Sequence, residues 1–221
     1  MTVELIDSMG TDLSVVNAAR VSFGKKHDEM TKGDVGLINF LGKHGHWTPF
    51  GHCTLSFHIK APIFVARQLV KHTVGLCWNE ISRRYVEDEP EFFYPEKWRG
   101  NPENKKQGSD PDSNIEWLDR TERTGGRVVK TCELAMHTYK TLLEAGVCPE
   151  QARMVLPQNT YTEWYWSGSL YAFSRVCNLR CKGDTQKETR DVAWEIHDLA
   201  KEKFLVSWSA LFDDAIGKGD G

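Results

Sequence analysis

The chain has 221 residues, of which 40% are apolar and 27% charged, and its formal net charge is −3. That length closes one full hydrophobic core, and the balance is ordinary for a globular domain. The acidic excess excludes binding to nucleic acid by bulk electrostatics, which needs a basic surplus, although a local cationic pocket stays open.

In chain order, residues 3–6 read as a short strand, and Thr11 or Asp12 caps a helix that runs to about Arg20. Residues 34–44 form a second helix, with Val35, Ile38 and Leu41 on one face and Gly45 as its stop. Residues 53–60 alternate with period two, which predicts a strand burying Cys53, Leu55, Phe57 and Ile59. Pro62 opens a helix, where its missing N–H costs nothing, and Ile63, Phe64, Ala66, Leu69 and Val70 bury it. Residues 74–78 read as a loop bulge and residues 87–95 as extended. Residues 99–113, rich in Gly, Pro, Asn and Lys, read as a mobile surface loop. A largely helical stretch follows over 116–145, with Leu134, Met136, Leu142 and Leu143 among its apolar positions and Gly146 ending it. Pro149 starts a short helix carrying Arg153, residues 160–166 form a strand, and residues 167–179 and 184–206 form two helices. With no repeat or linker, the whole chain 1–221 is expected to be a single α+β domain. Its mainly antiparallel, twisted sheet is flanked by helices.

No apolar run reaches the roughly 18 residues that span a bilayer. The first residues carry acids where a leader would carry bases, so no membrane partner and a cytoplasmic location are expected. Six cysteines, at 53, 77, 132, 148, 177 and 181, form no C-x-x-C pair and read as reduced, mostly buried thiols. Eight tryptophans and ten phenylalanines point to large apolar faces, some shared between subunits.

Two clusters of polar residues stand out against this background. The stretch from Arg67 to Tyr85 places cations, a histidine, a carboxylate, a carboxamide and a hydroxyl between apolar flanks. A stable fold gains little from so many hydrogen-bonding groups in one place, so a pocket for an anionic, heteroatom-rich ligand is the economical reading. Lys71-His72-Thr73 could simply complement a helix C-terminus, and Glu80 could pair with Arg83 or Arg84. Neither accounts for Asn79, Ser82 and Tyr85 in the same place. The second cluster runs from Arg153 to Arg180. Within it, Cys177 and Cys181 are a nucleophile pair or, more commonly for helix thiols, core residues. His44, His46, His52 and His58 suggest metal ligands or, for His52 and His58, ordinary half-buried strand histidines; an aromatic turn of His46, Trp47 and Phe50 that stacks on a planar ligand fits better.

These motifs resemble those of the flavin-dependent thymidylate synthases. The resemblance rests on Ala19-Arg-Val-Ser-Phe23, His44-Gly-His-Trp-Thr-Pro-Phe50, Lys60-Ala-Pro-Ile-Phe-Val-Ala-Arg-Gln68, Asn79-Glu-Ile-Ser-Arg-Arg-Tyr85, Ala152-Arg-Met-Val-Leu-Pro157 and Asn178-Leu-Arg180, all in the expected order. It implies reductive methylation of dUMP to dTMP, with 5,10-methylenetetrahydrofolate as carbon donor and FAD, reduced by NADPH, as hydride carrier. It also implies a homotetramer that shares its flavin sites between subunits. Gln68, Lys71, Glu80, Ser82, Arg83, Arg84, Arg153 and Arg180 fall at dUMP-binding positions, and Arg180 at the position against the uracil ring. Ser22, Thr48, Lys71, His72, Thr73, Asn79, Glu80, Ser169, Tyr171 and Arg175 fall at FAD positions, and His46 where the folate ring stacks. No metal is implied. Ser82 reads as an orienting hydroxyl, since no base adjoins it to make a nucleophile.

The sequence departs from the family signature of Arg-His-Arg, seven residues and Ser. Here Lys71-His72-Thr73 is followed by eight residues before Ser82, and Gly51 replaces a common glutamate. Ser169, Tyr171, Arg175 and Asp184 also depart, with Arg175 a candidate to restore the missing cation. Two rivals follow: a degenerate nucleotide- or flavin-binding module, and a thiol-dependent synthase using Cys177 or Cys181.

Overall fold

The computed structural model describes residues 1–86, 88–103, 108–114, 125–213 and 216. Its centre is a four-stranded antiparallel sheet of β1 (Thr2–Met9), β2 (Thr54–Pro62), β3 (Leu76–Glu80) and β6 (Tyr161–Ser169), ordered β1-β2-β6-β3. A separate hairpin pairs β4 (Arg99–Gly100) with β5 (Asp110–Asn114). The helices are α1 (Asp12–Arg20), α2 (Lys32–Lys43), α3 (Ile63–Leu69), α4 (Gly125–Glu144), α5 (Pro149–Ala152), α6 (Leu170–Arg180), α7 (Lys187–Lys203) and α8 (Leu205–Leu211). The α+β expectation holds, and no helix among the described residues is long and apolar enough to cross a membrane.

Alternation assigns the faces. Leu55, Phe57 and Ile59 of β2 lie beside Trp166 and Trp164 of β6 and are fully buried with Leu69, Phe173, Val192 and Ile196. Phe173 meets Phe57 and Trp166 edge-on, with centroids 5.0 and 5.2 Å away, which fixes α6 on the sheet. The opposite face is polar and half-exposed: Ser56 bonds Ser167 at 2.7 Å, and His58 bonds Glu163 at 2.9 Å. Cys53, Cys132, Cys177 and Cys181 are buried, Cys77 and Cys148 are exposed, and all six are free.

Several elements depart from expectation, each for a physical reason. The segment 74–78 is not a bulge: Gly75 turns the chain at φ 76°, and β3 pairs with β6 so that Trp78 stacks on Trp164 at 4.4 Å. Residues Ser167, Gly168 and Ser169 continue β6 and do not begin a helix. A Cβ on Gly168 would overlap the Gly75 carbonyl, so glycine permits the strand pairing there. Ser169 then caps α6 by accepting from Ala172 N at 3.1 Å. The helix expected over 184–206 breaks at Phe204. Asp12 accepts Val206 N–H at 3.0 Å and Ser207 N–H at 2.8 Å, which restarts the chain as α8. α2 starts at Lys32 behind the Thr31 cap, and its Asp34 is buried, bonded by Arg20 at 2.6 Å and His27 at 2.8 Å. Val35, Val70 and Leu134 face outward, against expectation. The 99–113 stretch is partly the β4–β5 hairpin, and its residues 104–107 lie outside the described set, as do Glu87 and residues 116–124 of the predicted extended and helical segments.

α2 and α8 pack so closely that a Cβ on Gly42 would overlap the Ala210 carbonyl. Gly42→Ala is therefore expected to destabilise the fold by about 1–3 kcal/mol through overpacking. Urea unfolding checks this, and an unchanged midpoint would show that the two helices yield.

Candidate active site

The two ends of one wall are set by helix termini. α3 carries Gln68 in its last turn, and the chain leaves it through Lys71, His72 and Thr73, with His72 N bonding Leu69 O at 3.0 Å. α6 ends on Arg180, whose Nε donates to His72 Nε2 at 2.9 Å while Nη2 donates to the Gln68 carbonyl at 3.4 Å. A nitrogen that accepts from a guanidinium must be unprotonated, so His72 carries its hydrogen on Nδ1. Burial lowers the His72 pKa from 6.5, and the charges of Arg180 and Arg175 lower it further.

Beside these residues lies a cavity of about 580 Å³ lined by Gln68, Arg180, Lys182, Asp184, Gln186 and Lys187, with Arg99 and Ser109 from the hairpin closing one side. Its size suits a small-molecule ligand, and its cations outnumber its acids. Arg99 donates to Ser109 Oγ at 2.7 Å and to Glu188 Oε1 at 2.7 Å. Burial raises the Glu188 pKa, but the Arg99 hydrogen bond and charge outweigh it and leave the group below its ordinary 4.5. Sequence reasoning missed Arg99, Gln186 and Glu188. Arg99 sits in a stretch with loop composition, and Glu188 looks like any first-turn helix acid.

A second group gathers where α6 begins. Tyr171 stacks on Trp47 at 5.6 Å, which brings the turn Thr48–His52 beside the start of α6, where Ser169 caps the helix. Ser169 N bonds Gly75 O at 3.3 Å, tying this helix start to the turn after Thr73. Tyr171 and Arg175 stand one helical turn apart on α6.

A third group follows β3. Glu80 accepts Thr162 Oγ1 at 2.7 Å and Trp78 Nε1 at 3.2 Å, and Asn79 lies opposite Tyr165. Ser82 Oγ accepts Arg84 Nε at 3.0 Å, and the Arg84 guanidinium lies over the Tyr85 ring at 5.0 Å. Arg83 donates to Asp88 O at 2.6 Å.

Other predicted residues stand apart. Arg153 is exposed, its side chain bonding among the described residues only Glu150 O, at 3.4 Å, and Ser22 is exposed on the turn Val21–Phe23. His46 is exposed, with its ring edge-on to Phe40 at 5.8 Å. Within one chain, no described contact joins Arg84 or Arg153 to Arg180. Cys177 and Cys181 are fully buried, and burial pushes the Cys177 thiol well up, so neither is placed as a nucleophile.

The family described as Thymidylate synthase complementing protein matches residues 4–204. A flavin-dependent thymidylate synthase of Thermosipho africanus is 40% identical over 98% of this chain and 92% of its own. Another, from Thermus thermophilus, is 40% identical over 95% of this chain and 74% of its own. A crystal structure of the UMP/dUMP methylase PolB from Streptomyces cacaoi, bound with 5-Br dUMP, superposes with a TM-score of 0.82. That protein is 31% identical over 95% of this chain and 93% of its own.

The His72 contact has a titration signature. Its midpoint, followed by NMR, is expected below 6.5, and protonation as pH falls through that midpoint removes the acceptor and breaks the Arg180 bond. Arg180→Ala is expected to move the midpoint up without fully restoring it, because burial, the larger cause, remains. A midpoint that stays fixed in the variant would mean that the two side chains are not in contact.

Proposed function

The chain belongs to the flavin-dependent thymidylate synthases, enzymes of methyl transfer, and from that membership we propose that it converts dUMP to dTMP. 5,10-Methylenetetrahydrofolate is the proposed carbon donor, and NADPH the source of reducing equivalents through FAD. Beyond membership, the observation that carries this reading is Arg180. Its guanidinium is held by His72 and the Gln68 backbone at the edge of a cationic cavity of nucleotide size.

Methyl transfer to a uracil ring needs C5 to act as a nucleophile, and electron density there rises as negative charge develops on the ring. Arg180, already oriented, meets that charge with N–H donors that need no reorganisation. Gln68, Glu80 and Ser82 orient the nucleotide, while Lys71, Arg83, Arg84 and Arg153 supply positive charge for its phosphate, where arginine offers bidentate contacts and lysine a point charge. His46 offers its ring face to the folate.

The residues at the FAD positions have suitable chemistry. Trp47 and Tyr171 form a stacked aromatic shelf for a planar ring, Ser22, Thr48, Thr73 and Ser169 supply hydroxyls, and Asn79 and Glu80 supply polar edges. Lys71 and Arg175 supply charge for a pyrophosphate, and His72, bonded by Arg180, lies within reach of the Arg175 charge. When bound, the flavin supplies the hydride, which no side chain can carry. The altered Lys71-His72-Thr73 segment is the feature on which a degenerate binding module would rest. Against that, the Arg175 charge reaches His72 and stands in for the missing arginine.

Among the described residues, Arg84 and Arg153 make only local bonds, which supports a homotetramer in which neighbouring copies complete each pocket. The cytoplasm is the proposed setting, in keeping with six unpaired thiols.

Arg180→Ala is expected to stay folded and flavin-bound while dTMP formation falls about 100-fold or more, the scale for losing one preorganised donor. Labelled dTMP formed under NADPH with added FAD measures it. Near-normal turnover in the variant would remove Arg180 from the mechanism. A yellow wild-type protein that makes no dTMP would favour the module.

A further inference from the structure

A line of polar side chains leads from the β4–β5 hairpin to Gln68. Arg99 donates to Glu188 Oε1 at 2.7 Å, and Glu188 Oε2 accepts Gln186 Nε2 at 3.2 Å. Gln186 Oε1 in turn accepts Gln68 Nε2. The direction of this line follows from its anchor. A carboxylate has no hydrogen to give, so it dictates that Gln186 faces it with its amide nitrogen. Gln186 must then turn its oxygen to Gln68, and Gln68 must answer with nitrogen. The Gln68 Oε1 takes no hydrogen bond from any described residue, and Gln68 and Gln186 both line the cavity that holds Arg180.

We infer that Gln186, oriented by Glu188 and Arg99, is a positioning residue that fixes the Gln68 carboxamide with its oxygen available as an acceptor for the nucleotide. The inference rests on the reading of this cavity as the dUMP pocket. A carboxamide that rotates freely presents donor and acceptor in either order, and half of those arrangements oppose a given ligand edge. The ion pair buried at the far end removes that freedom without touching the ligand. Arg99 and Glu188 are both largely shielded from solvent, where such a pair is screened least and its geometry is held most firmly. The acceptor suits a ligand edge that bears a hydrogen, as the N3–H of a uracil ring does.

Calorimetric binding of dUMP to the flavin-loaded protein tests this through a double-mutant cycle. Gln68→Ala is expected to weaken dUMP about tenfold and Gln186→Leu about three- to tenfold. The double variant should bind no more weakly than Gln68→Ala alone, because Gln186 acts only through Gln68. Flavin content and the thermal midpoint serve as fold controls. If Gln186→Leu fails to fold, Glu188→Gln takes its place, since an amide at 188 can face Gln186 either way and should reproduce the loss. Additive losses, or normal dUMP binding in Gln186→Leu and Glu188→Gln, would overturn the positioning role while leaving the pocket intact. Normal binding in Gln68→Ala would overturn the placement of Gln68 and the inference together. Wild-type protein that takes up flavin but not dUMP would instead overturn the reading of the pocket itself.

Discussion

A charged guanidinium bonded to an uncharged imidazole is the constraint around which this pocket is arranged. Two cations at 2.9 Å would repel, so the Arg180–His72 contact exists only while His72 is neutral. Burial and the nearby charge of Arg175 both act in that direction. Burial also lowers the pKa of Arg180, yet a guanidinium starts so far above neutrality that it keeps its proton. A lysine at the same place would share the burial without the same margin. The pairing also depends on two helix ends meeting: α3 leaves the sheet at Pro62, and α6 is held against it by Phe173 between Phe57 and Trp166.

The departures from the family signature become more coherent beside this geometry. Where the resemblance expects an extra residue before Ser82, Gly75 turns the chain and a strand docks Trp78 on Trp164. A flexible bulge would have left the Asn79 to Tyr85 segment loosely placed. The strand fixes where it begins. Thr73 stands where the signature has a cation, and Arg175, one helical turn beyond Tyr171 on α6, is the proposed replacement, its charge acting on the neighbouring His72.

Much of the fold was legible because it follows local rules. The alternation of β2, the Pro62 start of α3 and the glycine stops at Gly45 and Gly146 all come from period and backbone chemistry within a few residues. What stayed hidden is set by distant partners. Nothing near Phe204 announces a break, because the carboxylate that restarts the chain belongs to Asp12. β3 was obscured because its residues also read as a binding motif, and its strand character comes from pairing with β6. Site residues with distinctive chemistry, such as Arg180 and His72, could be singled out by type and resemblance. Arg99, Gln186 and Glu188 could not, since each is unremarkable in its own stretch and gains meaning only where the hairpin meets the start of α7.

The proposed reaction also explains why Arg180 is held in place at the cavity while Arg84 and Arg153, proposed for the phosphate, stand exposed. Charge developing on a pyrimidine ring is directional, and a donor displaced or rotated away from it loses most of its value. Arg180 therefore benefits from two bonds and partial burial, which hold it before the ligand arrives. A phosphate presents oxygens on several sides and rewards the amount of nearby positive charge more than its exact bearing. Exposed arginines such as Arg84 and Arg153 would meet that requirement without a fixed bearing and, in the proposed homotetramer, from different copies of the chain. Ordering them costs side-chain entropy on binding. The Ser82 bond and the Tyr85 ring reduce that cost for Arg84, while Arg153, held by one long bond to Glu150, keeps most of it. In the proposed homotetramer, completing the phosphate end would therefore fall to assembly, where a neighbouring surface would restrain what a single chain leaves free.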